Sequence, residues 1–128
     1  MPERYREGAG FEDVAGYSRA VRSGNAIAVS GTGDVAGDGT VGHPGDTYGQ
    51  ACASLEGALA AVERLGGQRE DVVRTRLYLT LEADWREAVG AHKLLLDGID
   101  PANTTFFVAG FVAPELLVEV EVDAIVGS

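Results

Sequence analysis

Three acidic side chains alternate with valines in the stretch LVEVEVDAIV near the end of the chain. Glu119, Glu121 and Asp123 would lie on one face of a β-strand there, because successive side chains of a strand point to opposite faces. A carboxylate of this row could act as a general base toward water, since burial raises a carboxyl pKa toward neutrality. The row could instead be exposed to solvent, or could contact another subunit or a ligand.

A second alternating stretch, VVRTRLYLT, places cations where they could meet this acidic row. We expect two faces on this strand, with Val73, Thr75, Leu77 and Leu79 on one and Arg74, Arg76 and Tyr78 on the other. Arg76 could bind an anionic substrate. It could equally form a structural ion pair with Glu119 or Glu121 across the sheet.

The remaining reactive residue types give weaker signals. His92 falls on the apolar stripe of a predicted helix and is interpreted as a core or interface histidine, and Cys52 as an inert core thiol. The two histidines lack the spacing of metal ligands, so no metal site is expected. The stretch GTGDVAG matches neither a dinucleotide-binding fingerprint nor a phosphate-binding loop, and no cofactor is expected.

Composition bounds the class of protein. The chain has 128 residues, which suits a single domain over residues 1–128, and its formal charge is −10, which disfavours a nucleic-acid partner. One cysteine cannot form an internal disulfide. No apolar run approaches the roughly 18 residues of a membrane helix. The first ten residues lack the apolar core of a secretory signal. The cytoplasm is therefore the expected compartment.

Periodicity predicts the elements that would position these residues. We expect a β-hairpin of residues 17–21 and 26–30, turning at residues 22–25, and then a glycine-rich loop with a short strand near residues 39–41. A helix from Asp46 to Leu65 would carry the stripe Tyr48, Cys52, Leu55, Leu59 and Val62. The strand of residues 72–80 follows, then a helix capped by Asp84 with the stripe Trp85, Ala88, His92 and Leu95. Two strands, at residues 104–111 and 116–126, end the chain. Tyr48 and Trp85 are interpreted as core residues. This order predicts an α+β fold with two helices on one face of a mixed sheet.

The stretches GYSRAVRSGNAIAVSGTG, EDVVRTRLYLT and DPANTTFFVAGFVAPELLVEVEVDAIV resemble the RidA family, also called YjgF, over nearly the whole chain. The resemblance implies a fold like that of a small chorismate mutase. It also implies a homotrimer whose sheets form a central barrel, with a pocket at each subunit interface. The best-known members of that family hydrolyse reactive imines and enamines to 2-oxo acids and ammonia.

The resemblance assigns pocket roles residue by residue. Tyr17, Ser30 and Gly31 match the family's substrate-binding positions, and Glu119 matches the glutamate thought to position the attacking water. The family's catalytic arginine follows a Pro-Ala pair, where this chain has Asn103.

Two further positions depart from the family pattern. The family's pocket cysteine is Thr105 here, and a pocket asparagine expected on the second helix falls near Val89 or Gly90. Losing the arginine removes a bidentate carboxylate anchor worth about 2–5 kcal/mol in a partly desolvated pocket.

Two functions are carried forward. The first is hydrolysis of a small imine, enamine or related C=N or amide bond, on a substrate other than the simple 2-imino acids. Glu119 would guide water to a carbon polarised by Asn103, Thr105 and backbone amides. The second is a non-catalytic trimer that binds a small metabolite or a partner protein. A ribonuclease activity, reported for some relatives, fits the negative charge least well.

Overall fold

The architecture is a mixed sheet covered on one face by two long helices. The computed structural model describes residues 2–8 and 11–127. In chain order the elements are β1 (Glu3–Tyr5), α1 (Glu12–Ala15), β2 (Ala20–Ser23), β3 (Ala26–Gly33), α2 (Thr47–Arg64), a short 3₁₀ turn (Arg69–Asp71), β4 (Val72–Leu79), α3 (Trp85–Leu96), β5 (Ala102–Phe107) and β6 (Val118–Ile125). The predicted α+β class is confirmed.

The sheet has six strands in the order β1-β2-β3-β6-β4-β5. Strands β4 and β5 run parallel, whereas the other neighbouring pairs are antiparallel. The parallel pair is joined through α3, which is the crossover such a pair requires. The last strand, β6, therefore lies in the middle of the sheet, between β3 and β4.

The core lies between the sheet and the two long helices. Helix α2 begins where the Asp46 side chain accepts a hydrogen bond from the Gly49 N–H at 2.9 Å, as predicted. The buried face of α2 carries Ala51, Leu55, Ala58, Leu59 and Val62, and α3 adds Ala88, Ala91 and Leu96. Alternate residues of β6 complete the cluster from the sheet: Val118, Val120, Val122 and Ala124.

Two aromatic residues predicted as core are exposed. Tyr48 is 41% exposed and Trp85 is 46% exposed, so that prediction is wrong for the single chain. Each lies in the first turn of its helix, beyond the end of the packed stripe. The Arg86 guanidinium covers the Trp85 ring from 4.7 Å. Cys52, predicted as core, is half-buried.

Several predicted boundaries shift. Residues 17–19 precede β2, and the hairpin turns at Gly24-Asn25, because Ser23 pairs with Ala26. Gly24 supplies the left-handed conformation of that turn, at φ 61°. Strand β3 continues to residue 33, and the expected strand near residues 39–41 is only an isolated bridge between Val35 and Val41.

The last two strands are also displaced. Strand β5 starts two residues earlier than predicted and ends at Phe107, before the Ala-Gly pair that follows. Strand β6 has eight residues and is shorter than predicted at both ends. The elements β1 and α1 were not predicted, because three and four residues carry no readable periodicity.

The predicted faces of β4 are correct except at its start. A bulge between Val72 and Arg74 turns Val73 away from the helices, so Val72 is buried and Val73 is exposed. From Arg74 onward three cross-strand pairs form on the face away from the helices: Arg74 with Asp123, Arg76 with Glu121, and Tyr78 with Glu119. We call this the charged face.

No helix in the described part of the chain is long and apolar enough to span a bilayer.

Candidate functional site

A bulge in β3 places the Ser-Gly pair of the sequence beside the acidic row. Between Val29 and Thr32, two residues of β3, Ser30 and Gly31, lie opposite a single residue of β6. The local twist that accompanies a bulge separates the two strands from their regular pairing at this point. The β6 residue opposite them is Glu121, which precedes Val122 and belongs to the same acidic row as Glu119.

Two glycines of β3 leave room for the Glu119 side chain. A Cβ added to Gly31 would lie 2.7 Å from Glu119 Oε1, closer than real Cβ contacts allow. A Cβ added to Gly33 would lie 2.8 Å from Leu116 Cδ1 and 3.4 Å from Glu119 Cγ. The carboxylate therefore rests directly on the backbone of the bulge. This close approach gives the Gly of the Ser-Gly motif a physical role.

Burial changes the acidity of Glu119. Desolvation raises the pKa of its carboxyl above the ordinary glutamate range, and the charge of Glu121 raises it further. The positive charge of Arg19 opposes both and lowers the pKa. Glu119 is half-buried, and a carboxylate with a raised pKa is a better general base at neutral pH than an exposed one.

Arg19 ties the segment before β2 to the bulge. Its Nη2 donates to the Gly31 carbonyl at 2.6 Å, and its own carbonyl accepts from the Ser30 N–H at 3.0 Å. The guanidinium carbon lies 5.9 Å from the centroid of the Tyr17 ring. Arg19, Tyr17 and Gly31 thus form one contiguous wall beside Glu119.

The Ser30 hydroxyl serves the backbone. Ser30 Oγ donates to the Ser18 carbonyl at 2.7 Å, and the Ser30 carbonyl accepts from Thr32 Oγ1 at 2.8 Å. The Ser30 hydroxyl therefore stabilises the end of the hairpin, whereas the resemblance had assigned Ser30 to substrate binding.

An open cleft of about 1210 Å³ lies over these residues, and we call it the Glu119 cleft. Its floor comes from β3 and β6. Its sides come from the described residues between 7 and 19, the glycine-rich loop at residues 35–39, residues 112–116, and Ala53 and Gly57 of α2. Three of the predicted site residues line it: Tyr17, Gly31 and Glu119. The other four are absent from its described lining: Ser30, Arg76, Asn103 and Thr105.

Arg76 belongs to an ion-pair network on the charged face. Its Nη1 lies 3.4 Å from Asp123 Oδ2 and 3.7 Å from Glu121 Oε1. The Tyr78 hydroxyl donates to Glu121, and burial together with this carboxylate raises the pKa of Tyr78 to about 12. The Tyr78 and Phe106 rings pack edge to face, with 4.8 Å between their centroids. Within one chain Arg76 therefore forms a structural ion pair with Glu121, one of the two predicted partners, and with Asp123, which was not predicted.

Asn103 and Thr105 lie on the other face of the sheet. Asn103 Nδ2 donates to Thr75 Oγ1 at 3.0 Å, and Thr105 Oγ1 donates to Asn103 Oδ1 at 2.9 Å. Thr75 Oγ1 lies 2.7 Å from Nε2 of His92, on α3. Burial lowers the pKa of His92, so its neutral ring accepts from the Thr75 hydroxyl. We call these four residues the Thr75 network.

The other candidates from the sequence lie elsewhere. His43 Nδ1 is 2.8 Å from Asp34 Oδ2 in the glycine-rich loop. Burial raises the pKa of the Cys52 thiol, which keeps it protonated and unreactive at neutral pH. Among residues 2–8 and 11–127, no group of three or more metal-ligating side chains is close enough to hold an ion.

Sequence reasoning missed Arg19 and Thr75. Arg19 sits two residues after Tyr17 in a turn-rich segment, and only the long-range contact with the bulge brings it to the cleft. Thr75 was predicted to face the helices, but a threonine in a strand gives no signal of a hydrogen-bonding role.

The chain matches a known protein family and a related bacterial protein. The family model described as Endoribonuclease L-PSP matches residues 9–126. The chain is 38% identical over 126 residues to protein SCO2049 of Streptomyces coelicolor, an alignment that covers 98% of this chain and 92% of the other.

Solved structures show the same fold. Rv2704 of Mycobacterium tuberculosis is described as a member of the YjgF/YER057c/UK114 family. It superposes with a TM-score of 0.86 at 36% identity, and the alignment covers 98% of this chain and 100% of Rv2704. The YjgF gene product of Escherichia coli superposes with a TM-score of 0.74 at 27% identity, over 85% of this chain and 87% of that one.

Proposed function

Because the chain belongs to the YjgF/RidA family, whose family model is described as Endoribonuclease L-PSP, we propose that it hydrolyses a small imine, enamine or related C=N or amide bond. Glu119 is the residue that activates water. The observation that carries the proposal is the half-buried Glu119 carboxylate, packed on Gly31 at the floor of an open cleft, with its pKa raised by burial.

The chemistry balances with this single base. With an iminium substrate, whose nitrogen is already protonated, Glu119 accepts a proton from water while the water oxygen bonds to the carbon. The electron pair of the C=N π bond moves to the nitrogen, which gives a neutral carbinolamine. Glu119 next gives its proton to the amine nitrogen. It then accepts the hydroxyl proton as the C–N bond breaks and the carbonyl forms, and it releases that proton to the departing amine or to solvent. The products are a carbonyl compound and ammonia, or an amine. Gly31 and Tyr17 line the same cleft, where they can position the substrate.

A complete site on this reading needs a second copy of the chain. Asn103 and Thr105 would polarise the reacting carbon, but each chain holds them on the face opposite to Glu119. A neighbouring copy in a homotrimer would supply them. Support comes from the exposed apolar side chains of Phe106 and Phe107 on the edge strand β5, which an interface would bury.

We expect the substrate to differ from the simple 2-imino acids in the group that would contact Asn103. Its amide carries no charge, and it is already hydrogen-bonded to Thr75 and Thr105. This engagement also favours the alternative function, a trimer that binds a small metabolite or partner without catalysis.

The ribonuclease function named in the family description is not proposed. The formal charge is −10. Arg19 is the sole basic side chain among the described residues that line the Glu119 cleft. Both features oppose a polyanionic substrate.

One assay tests the proposal. Imines with and without a carboxylate are generated in solution, and their trapping as semicarbazones is followed with and without the protein. We expect the protein to accelerate hydrolysis of at least one of them and Glu119→Gln to abolish the gain. Asp123→Asn is the matched control, because Asp123 belongs to the same acidic row but lies outside the cleft. Retained binding of a small molecule with no acceleration of any imine would establish the non-catalytic alternative.

A further inference from the structure

Arg19 has hydrogen-bond donors to spare inside the Glu119 cleft. A guanidinium has five N–H groups, and Arg19 uses one of them on the Gly31 carbonyl. Its Nε is buried and has no acceptor among the described residues. Unsatisfied buried donors are costly, which makes a resting guanidinium of this kind ready to accept a further partner.

Two acidic side chains of the cleft accept hydrogen bonds from backbone N–H groups. Glu12 accepts from the backbone N–H groups of Glu7 and Gly8, at 3.1 and 2.7 Å. Asp38 accepts from the Thr40 N–H in the exposed loop. The positive charge of Arg19 lowers the pKa of Glu119, and among the described residues no close ion pair joins the two side chains.

Gly31 brings the two charges to a spacing that suits a small molecule. Its carbonyl binds Arg19 Nη2, and its Cα side is in contact with Glu119 Oε1. The guanidinium and the carboxylate therefore flank the same residue, on the wall and on the floor of one cleft. A ligand with an anionic group a few bonds away from an electrophilic carbon could reach both at once.

We propose that Arg19 forms an anion subsite of the Glu119 cleft, and that the ligand it takes is a small carboxylate-bearing molecule. The inference rests on the proposed function for its substrate class, which becomes small C=N compounds carrying a carboxylate. The carboxylate is held on the Tyr17 wall, and not at Asn103. The planar fork of the guanidinium suits a carboxylate better than a lysine would.

Binding at this subsite and the basicity of Glu119 are coupled. A carboxylate on Arg19 cancels the charge that lowers the pKa of Glu119, so the bound anion raises that pKa further. By linkage, removing the charge of Glu119 strengthens binding of the anion. Glu119→Gln therefore binds a carboxylate at least as tightly as the wild type while it loses hydrolysis.

The experiment measures binding of a product-like ligand that does not react. 4-Oxopentanoate, whose carboxylate lies a few bonds from the carbonyl carbon, and its uncharged methyl ester are titrated by calorimetry or by NMR into wild type, Arg19→Gln, Arg19→Lys and Arg22→Gln. Arg22 is the matched control, because it also donates to backbone carbonyls, of Gly24 and Leu65, but it does not line the cleft. Thermal unfolding of each variant identifies any loss of fold.

We expect Arg19→Gln to weaken 4-oxopentanoate binding at least about tenfold and to leave binding of the ester unaffected. Arg19→Lys keeps part of the affinity, and Arg22→Gln keeps all of it. Equal binding of acid and ester by the wild type, or unchanged binding by a folded Arg19→Gln, overturns the subsite.

The two proposals fail separately. Carboxylate binding that depends on Arg19, without hydrolysis of any imine, supports the subsite and contradicts the enzyme. Imine hydrolysis with a KM that is unchanged in Arg19→Gln supports the enzyme and contradicts the subsite.

Discussion

Glu119 and Asn103 lie on opposite faces of the same sheet, two strands apart. Glu119 pairs with Tyr78 on the charged face, whereas Asn103 hydrogen-bonds Thr75 on the face that α3 covers. Two strands correspond to about 10 Å across the sheet, before the thickness of the sheet is added. One chain cannot direct both side chains at the same substrate atom.

Subunit complementation tests whether two copies share a site. Glu119→Gln and Asn103→Ala are each expected to lack imine hydrolysis. When the two variants are mixed, unfolded and refolded together, about a quarter of the subunit interfaces in a cyclic trimer regain both native residues. We expect that share of the wild-type rate to return. Mixing the folded variants without unfolding is the control. If refolded mixtures that contain confirmed heteromers recover no activity, the two residues do not act across a subunit interface.

Gly31→Ala is expected to separate folding from activity. The added Cβ would meet Glu119 Oε1 at 2.7 Å, and the end of a flexible side chain can move away. The variant should fold but lose at least about tenfold in kcat/KM, because the base is displaced from its productive position. Thermal unfolding and the semicarbazone assay measure the two effects.

Gly90→Ala is the matched control for that glycine. Gly90 lies within α3, and a Cβ there meets nothing within 4 Å. The substitution should stabilise the fold by up to about 1 kcal/mol, because alanine is a better helix former. Activity should not change. If Gly31→Ala retained full activity, the close contact between Gly31 and Glu119 would have no catalytic consequence.

The raised pKa of Glu119 predicts a pH-dependent stability. Because the folded chain binds this proton more tightly than the unfolded chain, wild-type stability falls as pH rises from about 4.3, the pKa of an exposed glutamate, to the raised folded pKa. Above that window the penalty is constant. Glu119→Gln should therefore be more stable than wild type at neutral pH, by a margin that vanishes below the window.

Urea denaturation across the acidic range measures this difference. Asp123→Asn, outside the cleft, should show no such gain at neutral pH, because Asp123 is paired with Arg76. A Glu119→Gln variant that is less stable than wild type at neutral pH would contradict net destabilisation of the carboxylate by burial.

Two threonines offer a matched pair for stability, because Thr75 lies within β4 and Thr80 follows the last residue of that strand. Thr75 is fully buried and bonds both His92 and Asn103, whereas the buried hydroxyl of Thr80 has no partner among the described residues. Thr75→Val should cost about 1–3 kcal/mol, since it strands polar partners. Thr80→Val should be neutral or stabilising. Urea midpoints measure both, and an equal loss in the two variants would show that neither effect comes from hydrogen bonding.

Much of the fold followed from local pattern. The alternation of β4 and β6 correctly assigned the charged face, because the strand period of two fixes which side each residue takes. The helical stripe and the Asp46 cap placed α2 to within a residue at each end. Errors arose at Val73, where a bulge breaks the period, and in β1 and α1, which are too short to show one.

The candidate site was also predicted only in part. The resemblance to a family nominated Tyr17, Gly31 and Glu119, and the structure places all three in one cleft. Arg19 was not nominated, because its approach to Gly31 depends on where the chain returns after twelve residues and not on any local pattern.

The sequence alone determined the long helices and strands and most of the residues that share a face of β4 and β6, because these depend on the periodicity of side chains. It also indicated the family, because the family follows from motifs in the order of residues. The tertiary structure alone decided that β6 inserts between β3 and β4, that the bulge brings Gly31 onto Glu119, and that Asn103 lies on the opposite face. Those contacts join residues far apart in the chain, and their register is set by packing of the whole sheet against its helices.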